Sequence, residues 1–378
     1  MLFKDIIGHQ AAKEKLIGSA EKGWISHAQL FFGKPGSVPF SLALAYAQYV
    51  SCLSPQATDS CGVCAHCKQF ASGNFPDLHY AFPVTKTEDS SNKPISDEFL
   101  TLWRQYLEKC AGIPHLNDWL TFMGAGNVQG KMTVHESASL AKKLSLKSYT
   151  GGTKIFLVWL PELFVPQAAN KLLKNIEEPE GDTLILLVSE NPDGVLQTLR
   201  SRCQKMQVPL YKSKEVEQWL TAHGVAGTVA GPTSALAEGN LHEALRIAQD
   251  SASFHEYAVL FRDWMRACLK VRVKDIFSFV DTLSSKRRES IKEALSLYIH
   301  TIEISLKSNV TSHKIDHLLY KKASFDLNKF APFVHSGNAG RIHKLLSEAY
   351  RDISRNGNPK IILSDCSFKM TRFLHLKP

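Results

Sequence analysis

A chain of 378 residues, 44% hydrophobic and 21% charged, is long enough for two or three domains with their own cores and has the composition of ordinary globular protein. No apolar run approaches the roughly 20 residues that span a bilayer. Met1-Leu2-Phe3-Lys4-Asp5 lacks the charged-then-apolar layout of a secretory signal, so no membrane role and a cytoplasmic location are expected. The net charge of +9 permits contact with nucleic acid without establishing it.

Phe3, Ile6 and Ile7 precede Gly8-His9-Gln10, and Ala11, Leu16 and Ile17 then share one side of a helix suited to covering a sheet. A strand ending at Phe32 leads into Gly33-Lys34-Pro35-Gly36-Ser37-Val38-Pro39-Phe40. A phosphate-binding loop here would read G-x-x-x-x-G-K-[ST]: a glycine so that backbone N–H groups wrap the phosphates, a lysine for their charge, a hydroxyl for magnesium. Gly33 fits the first position and Gly36 lies inside the loop, but Val38, Pro39 and Phe40 replace the glycine, lysine and hydroxyl. Proline also lacks an N–H to offer. Ser41 to Val50 keeps a helical apolar face through Leu44, Ala47 and Val50, so the scaffold is expected without its chemistry. Lys34 is the one substitute phosphate contact, although it precedes the turn.

Cys52, Cys61, Cys64 and Cys67 make C-x8-C-x2-C-x2-C. Two-residue gaps let neighbouring thiolates face one ion, and four sulfurs complete a closed, structural zinc site. An iron–sulfur cluster would want a further cysteine followed by proline, and Lys68-Gln69-Phe70 supplies neither. Four free thiols are the plain alternative. His66, between the cysteines, reads as solvated rather than as a ligand.

Asn74 to Phe82 reads as the next strand with its leading loop, and 84–95 as a polar connection. A helical insert over about 96–125 carries Phe99, Trp103, Tyr106, Trp119 and Phe122 at spacings that suit core packing better than a partner surface. Val134 to Lys147 reads as a helix with Lys142, Lys143 and Lys147 on a solvated face. Ile155–Leu160 and Thr183–Val188 are short apolar runs, the pattern of strands covered on both faces. Between them Pro166 opens a helix whose Ala169, Leu172, Leu173 and Ile176 repeat at three- and four-residue steps until Glu177-Glu178-Pro179 stops it. That is a βαβ unit. Ser201-Arg202-Cys203 closes a following helix, with Cys203 a small buried hydrophobe, and Gln204 to Leu210 reads as the last strand. Glu215–Leu220 and Leu236–Ala248 read as helices. From Phe254 onward the pattern is helical throughout, with Trp264, Phe277, Phe279, Leu295, Ile299, Ile302 and Leu306 as core, and Lys286-Arg287-Arg288 as solvated charge.

The run Ala168-Ala169-Asn170-Lys171-Leu172-Leu173-Lys174-Asn175-Ile176-Glu177-Glu178-Pro179, followed by Thr198-Leu199-Arg200-Ser201-Arg202-Cys203, resembles the AAA+ ATPases of bacterial clamp loaders. The motifs cover roughly the first 250 residues. The resemblance implies an α/β class with a P-loop-type parallel sheet core, a zinc-binding insert, a helical lid and an all-α collar. Residues 1–210 would be the core, with the zinc module at 52–67; 211–251 the lid; 252–378 the collar, through which such subunits assemble. It implies an opening segment near the adenine pocket of ATP-binding members. Trp159 and Leu160 stand where an active relative has the Asp-Glu that holds magnesium and polarises water, and Glu162 lies two positions too far to replace it. His242 stands where ATP-using members place a second sensing arginine. ATP is therefore not expected to bind. Arg202 is the residue that the family motif sends in trans to a neighbour's γ-phosphate, as an arginine finger, with Arg200 the second candidate and a surface arginine capping its helix the plain reading. Implied partners are the delta and gamma/tau subunits of DNA polymerase III, the sliding clamp indirectly, and primer-template DNA as part of the complex. A hydrolysing motor subunit of gamma/tau type is the alternative. A lone zinc-dependent DNA-binding module lacks the strongly basic recognition helix it would need.

Overall fold

The computed structural model describes residues 1–88, 90–125, 128–249, 251–311, 320 and 323–376. The chain forms two compact units, one of Met1–Glu215 with Glu238–His242 and one of Val216–Ala237 with Glu243–Pro378.

The first unit is built on five parallel strands, β1 (Ala28–Phe32), β2 (Leu78–Ala81), β3 (Lys154–Trp159), β4 (Thr183–Ser189) and β5 (Gln204–Gln207), in the spatial order β2-β3-β4-β1-β5. Every residue of β3 and β4 is buried, as nearly continuous apolar runs require in a sheet covered on both faces. β5 is shorter than the expected Gln204–Leu210 strand. Val208 N–H still donates to Phe32 O at 2.8 Å, but Pro209 has no N–H to extend the ladder.

The helices of this unit are α1 (Gln10–Glu21), α2 (Pro39–Ser51), α3 (Ala65–Ala71), α4 (Leu100–Lys109), α5 (Leu116–Phe122), α6 (Val134–Leu144), α7 (Pro166–Glu177) and the single turn α8 (Gln197–Arg200). α2 packs on one face of the sheet. On the other, Phe156, Val158, Ile185 and Leu187 meet Leu140, Leu144, Leu172, Ile176 and Leu199 of α6, α7 and α8. Alternate residues of a strand point to opposite faces, so Trp159 falls on the α2 side. The carboxyl ends of β1, β3 and β4 share one edge of the sheet, the place where open parallel sheets seat their ligands.

The second unit is helical among its described residues. α9 (Ser213–Ala222) leads from the first unit into it, followed by α10 (Gly227–Leu236), α11 (Leu241–Gln249), α12 (Ser251–Leu269), α13 (Val273–Ser284), α14 (Arg288–Thr311), α15 (Leu327–Phe330), α16 (Ala339–Ser354) and α17 (Pro359–Leu374). The expectation of helix to the chain end lies outside the described residues at 312–319, 321–322 and 377–378. One core holds Phe261, Trp264, Phe279, Leu295, Tyr298, Ile302, Leu346 and Met370, with Ile299 and Leu306 partly buried against it. Trp264 stacks on Phe279 at 4.5 Å and its indole N–H donates to Ser367 Oγ at 2.9 Å.

Two expectations are corrected. Phe277 is 42% exposed, because the buried stripe of α13 runs through Ile276, Phe279, Val280 and Leu283 and leaves Phe277 one step off it. The helix expected over Leu236–Ala248 is two helices. Glu238 and Gly239 take left-handed φ of 46° and 88° between them, and a Cβ at Gly239 would lie 2.2 Å from Tyr211 O, so only glycine fits.

Candidate functional site

The chain turns at once after β1. Ser37 donates to Lys34 O through both its N–H (3.0 Å) and its hydroxyl (2.7 Å), and Gly36 takes a left-handed φ of 84°. A Cβ at Gly36 would lie 1.8 Å from Asn240 Oδ1, and Leu241 N–H donates to Gly36 O at 3.1 Å. Residues 240–241 therefore sit against this turn from within the same unit. A Cβ at Gly33 would meet Ser37 Oγ at 2.1 Å and Val208 O at 2.3 Å, while Lys34 is exposed.

Val38, Pro39 and Phe40 begin α2 and are buried. The Phe40 ring meets Trp103 of α4 edge-on at 5.8 Å and Trp159 of β3 at 6.5 Å, and the two indoles are 5.1 Å apart. Trp103 also stacks on Phe82 at 4.3 Å and meets Trp119 of α5 at 5.0 Å, whose indole N–H donates to Pro83 O at 2.8 Å. Phe99, Trp103, Tyr106 and Trp119 are buried and Phe122 half-buried, so the insert's aromatics are core. The positions that a phosphate loop and its acidic strand would give to a hydroxyl and a carboxylate thus hold rings packed on one another. The Ser41 hydroxyl, at the start of α2, donates to Gly112 O of the insert at 2.6 Å. Leu160 is buried with φ 56°. Glu162 Oε1 accepts the N–H groups of Glu190 and Asn191 at 2.9 Å each, a backbone-holding role.

The four cysteines converge. Cys52 is the C-cap of α2 and Cys64 the N-cap of α3, so two helix ends and the turn between them carry the cluster. Sγ atoms lie 4.0 Å (Cys52–Cys64), 3.9 Å (Cys61–Cys67) and 3.6 Å (Cys52–Cys67) apart. A tetrahedron with metal–sulfur bonds of about 2.3 Å has edges of about 3.8 Å, so the set fits one ion. Backbone N–H groups of Cys61, Cys64 and Cys67 point at the sulfurs of Cys52, Cys61 and Cys64 at 3.3, 3.3 and 3.4 Å. Burial pushes Cys64 up, but the N–H groups of Cys67 and Leu53 outweigh it and bring the thiol down to about 6. Burial takes Cys52 up to about 12. Ion binding would therefore release protons from the cluster. His66 is not a ligand, and it is half-buried rather than solvated: its Nδ1 is 2.7 Å from Ser51 O and its ring packs on Phe75 at 5.0 Å.

Arg202 follows α8. Its Nε pairs with the carboxylate of Glu177, the last residue of α7, and its Nη1 donates to Thr198 O at 2.6 Å. Arg200 is held by Asp193 Oδ1 at 2.6 Å and Pro192 O at 3.1 Å. Cys203 is buried, its thiol bonded to Leu199 O.

A family model described as DNA polymerase III, delta subunit, matches residues 8–211, just over half the chain. The chain belongs to this family. The delta' subunit of DNA polymerase III from Pseudomonas aeruginosa is 30% identical over 211 residues, covering 56% of this chain and 51% of its own. The tau subunit from Bacillus subtilis is 21% identical over 363 residues, covering 93% of this chain and 54% of its own. The chain spans about half the length of the curated relatives it matches. Among solved structures, a DNA polymerase III gamma subunit-related protein from Thermotoga maritima is 14% identical, with a TM-score of 0.44, covering 96% of this chain and 100% of the other.

In this member of the delta-subunit family, His242 meets a partner that its sequence position did not announce. Its Nε2 is 2.7 Å from Asp118 Oδ2, and its ring stacks on His115 at 4.1 Å. Burial pushes Asp118 up, but the hydrogen bond with His242 and the nearness of His115, whose Nδ1 lies 3.8 Å from Oδ1, outweigh it and hold the carboxyl well below the usual range. Asp118 and His115 lie at the start of α5 in the insert, with no motif around them. The spacing around Trp103 predicts a core position, but nothing in its own sequence neighbourhood shows that this core includes Phe40 and Trp159.

Proposed function

We propose that this chain is a non-hydrolysing, delta-prime-type subunit of a bacterial clamp loader, assembling with delta and gamma/tau subunits to place the sliding clamp on primed DNA. In this reading it binds no ATP, and Arg202 neutralises charge on the γ-phosphate held by a neighbour, an effect worth roughly a thousandfold or more where such arginines act. The observation that carries it is the packing of Phe40, Trp103 and Trp159, which leaves rings where magnesium would need oxygen ligands. The same reading takes the ion on Cys52, Cys61, Cys64 and Cys67 to be zinc, a structural crosslink with no open position. It also takes 1–210 as the AAA+ core, 211–251 as lid and 252–378 as collar, and the location as cytoplasmic. No described helix is long and apolar enough to cross a membrane.

Similarity to a tau subunit along most of the chain favours a second reading, an ATP-hydrolysing motor. One experiment decides between them. The purified chain is assembled with gamma/tau and delta subunits from the same cell, and bound nucleotide is counted after magnesium-ATP is added. The expected count equals the gamma/tau copies alone. One further equivalent on this chain, or failure to form the complex, overturns the proposal.

A further inference from the structure

Glu177 occupies an unfavourable place. It ends α7, where the helix dipole is negative, and Glu178 adds a second carboxylate beside it. Lys174, one turn back on α7, offers a local partner, yet Glu177 pairs with Arg202, 25 residues along the chain. That pair and the Thr198 carbonyl fix the guanidinium on two sides, through Nε and Nη1. One N–H on Nη1 and two on Nη2 make no hydrogen bond among the described residues, and Arg202 is exposed, so they stay available to meet an oxyanion. Arg200 differs, since its ties to Asp193 and Pro192 bind it to the loop before its own helix.

We propose that Glu177 is the positioning residue for Arg202, fixing the guanidinium plane on this subunit's surface so that its remaining N–H groups are presented to a phosphate oxygen of a neighbouring subunit's ATP. This rests on the trans role of Arg202 proposed above. Side-chain freedom is then lost when the subunit folds, not when it docks, and the arginine arrives oriented. The carboxylate does not touch the nucleotide; it acts only through the guanidinium.

The test uses the reconstituted loader with clamp, primed DNA and ATP, after size-exclusion chromatography has shown that each variant assembles. Arg202→Ala is expected to lower kcat with little change in KM. Glu177→Gln, which keeps shape and loses charge, should lower kcat by about three- to tenfold at unchanged KM, and Glu177→Asp should recover part of that loss. Glu177→Gln added to Arg202→Ala should change nothing further, because a residue acting solely through Arg202 has nothing left to act through. A normal or raised rate in Glu177→Gln alongside a defective Arg202→Ala overturns the positioning role and leaves the trans arginine standing. A further fall in the double variant also overturns it. A normal rate in Arg202→Ala removes both proposals together.

Discussion

Glu190 shows how much one side chain's setting depends on contacts that sequence does not reveal. It follows β4, and burial, with a further push from Glu162 and partial relief from His115, takes its carboxyl up to about 7. An acid whose pKa is higher folded than unfolded takes up a proton on folding. Its cost to stability is absent below the unfolded value of about 4.3, grows as pH rises, and is complete above about 7. Glu190→Gln should therefore raise the melting temperature at pH 8 and have little effect at pH 4.5. Equal effects at both pH values would show that the carboxyl ionises freely. The convergence of the four cysteines, by contrast, was legible because their spacing marks it. Glu190, His115 and Asp118 were not, since what matters in each is a neighbour brought in by the fold.

At the scale of elements, the strands of the βαβ unit were readable because burial on both faces leaves an apolar run, and α7 because proline marks both its start and its stop. The break between α10 and α11 was missed. Its cause is the backbone of Tyr211 pressing on Gly239, a tertiary constraint that the helical periodicity on either side conceals. The cysteine module makes the element-level prediction. Wild-type protein should carry one zinc per chain by metal analysis, and Cys64→Ser should lose it while far-UV circular dichroism stays nearly unchanged. The loss should also travel: Asp59, inside the module, accepts the N–H groups of Phe3 and Lys4 at 3.0 Å each. Those two amides should exchange hydrogen faster in Cys64→Ser. Unaltered exchange there, or iron in the wild type, would contradict this account of the module.

Across the whole molecule, Phe40, Phe82, Trp159 and the insert's Trp103 and Trp119 come from four separate stretches of sequence, and their rings meet in one cluster. Trp103, fully buried at its centre, should be the costliest single truncation in the first unit. Trp103→Ala is expected to lower its unfolding free energy by about 3–5 kcal/mol in denaturant titration. A loss below about 1 kcal/mol would mean that the cluster repacks around the gap.

The rings also make the pattern self-locking across generations of mutation. Phe40→Ser alone would bury a hydroxyl beside two indoles, and Trp159→Asp alone would bury a carboxylate among the same rings; each costs stability before any phosphate chemistry could be gained. A lineage carrying this cluster stands in a stability valley with no single-step exit toward a nucleotide site. It holds Phe40, Trp103 and Trp159 hydrophobic together or changes them all at once.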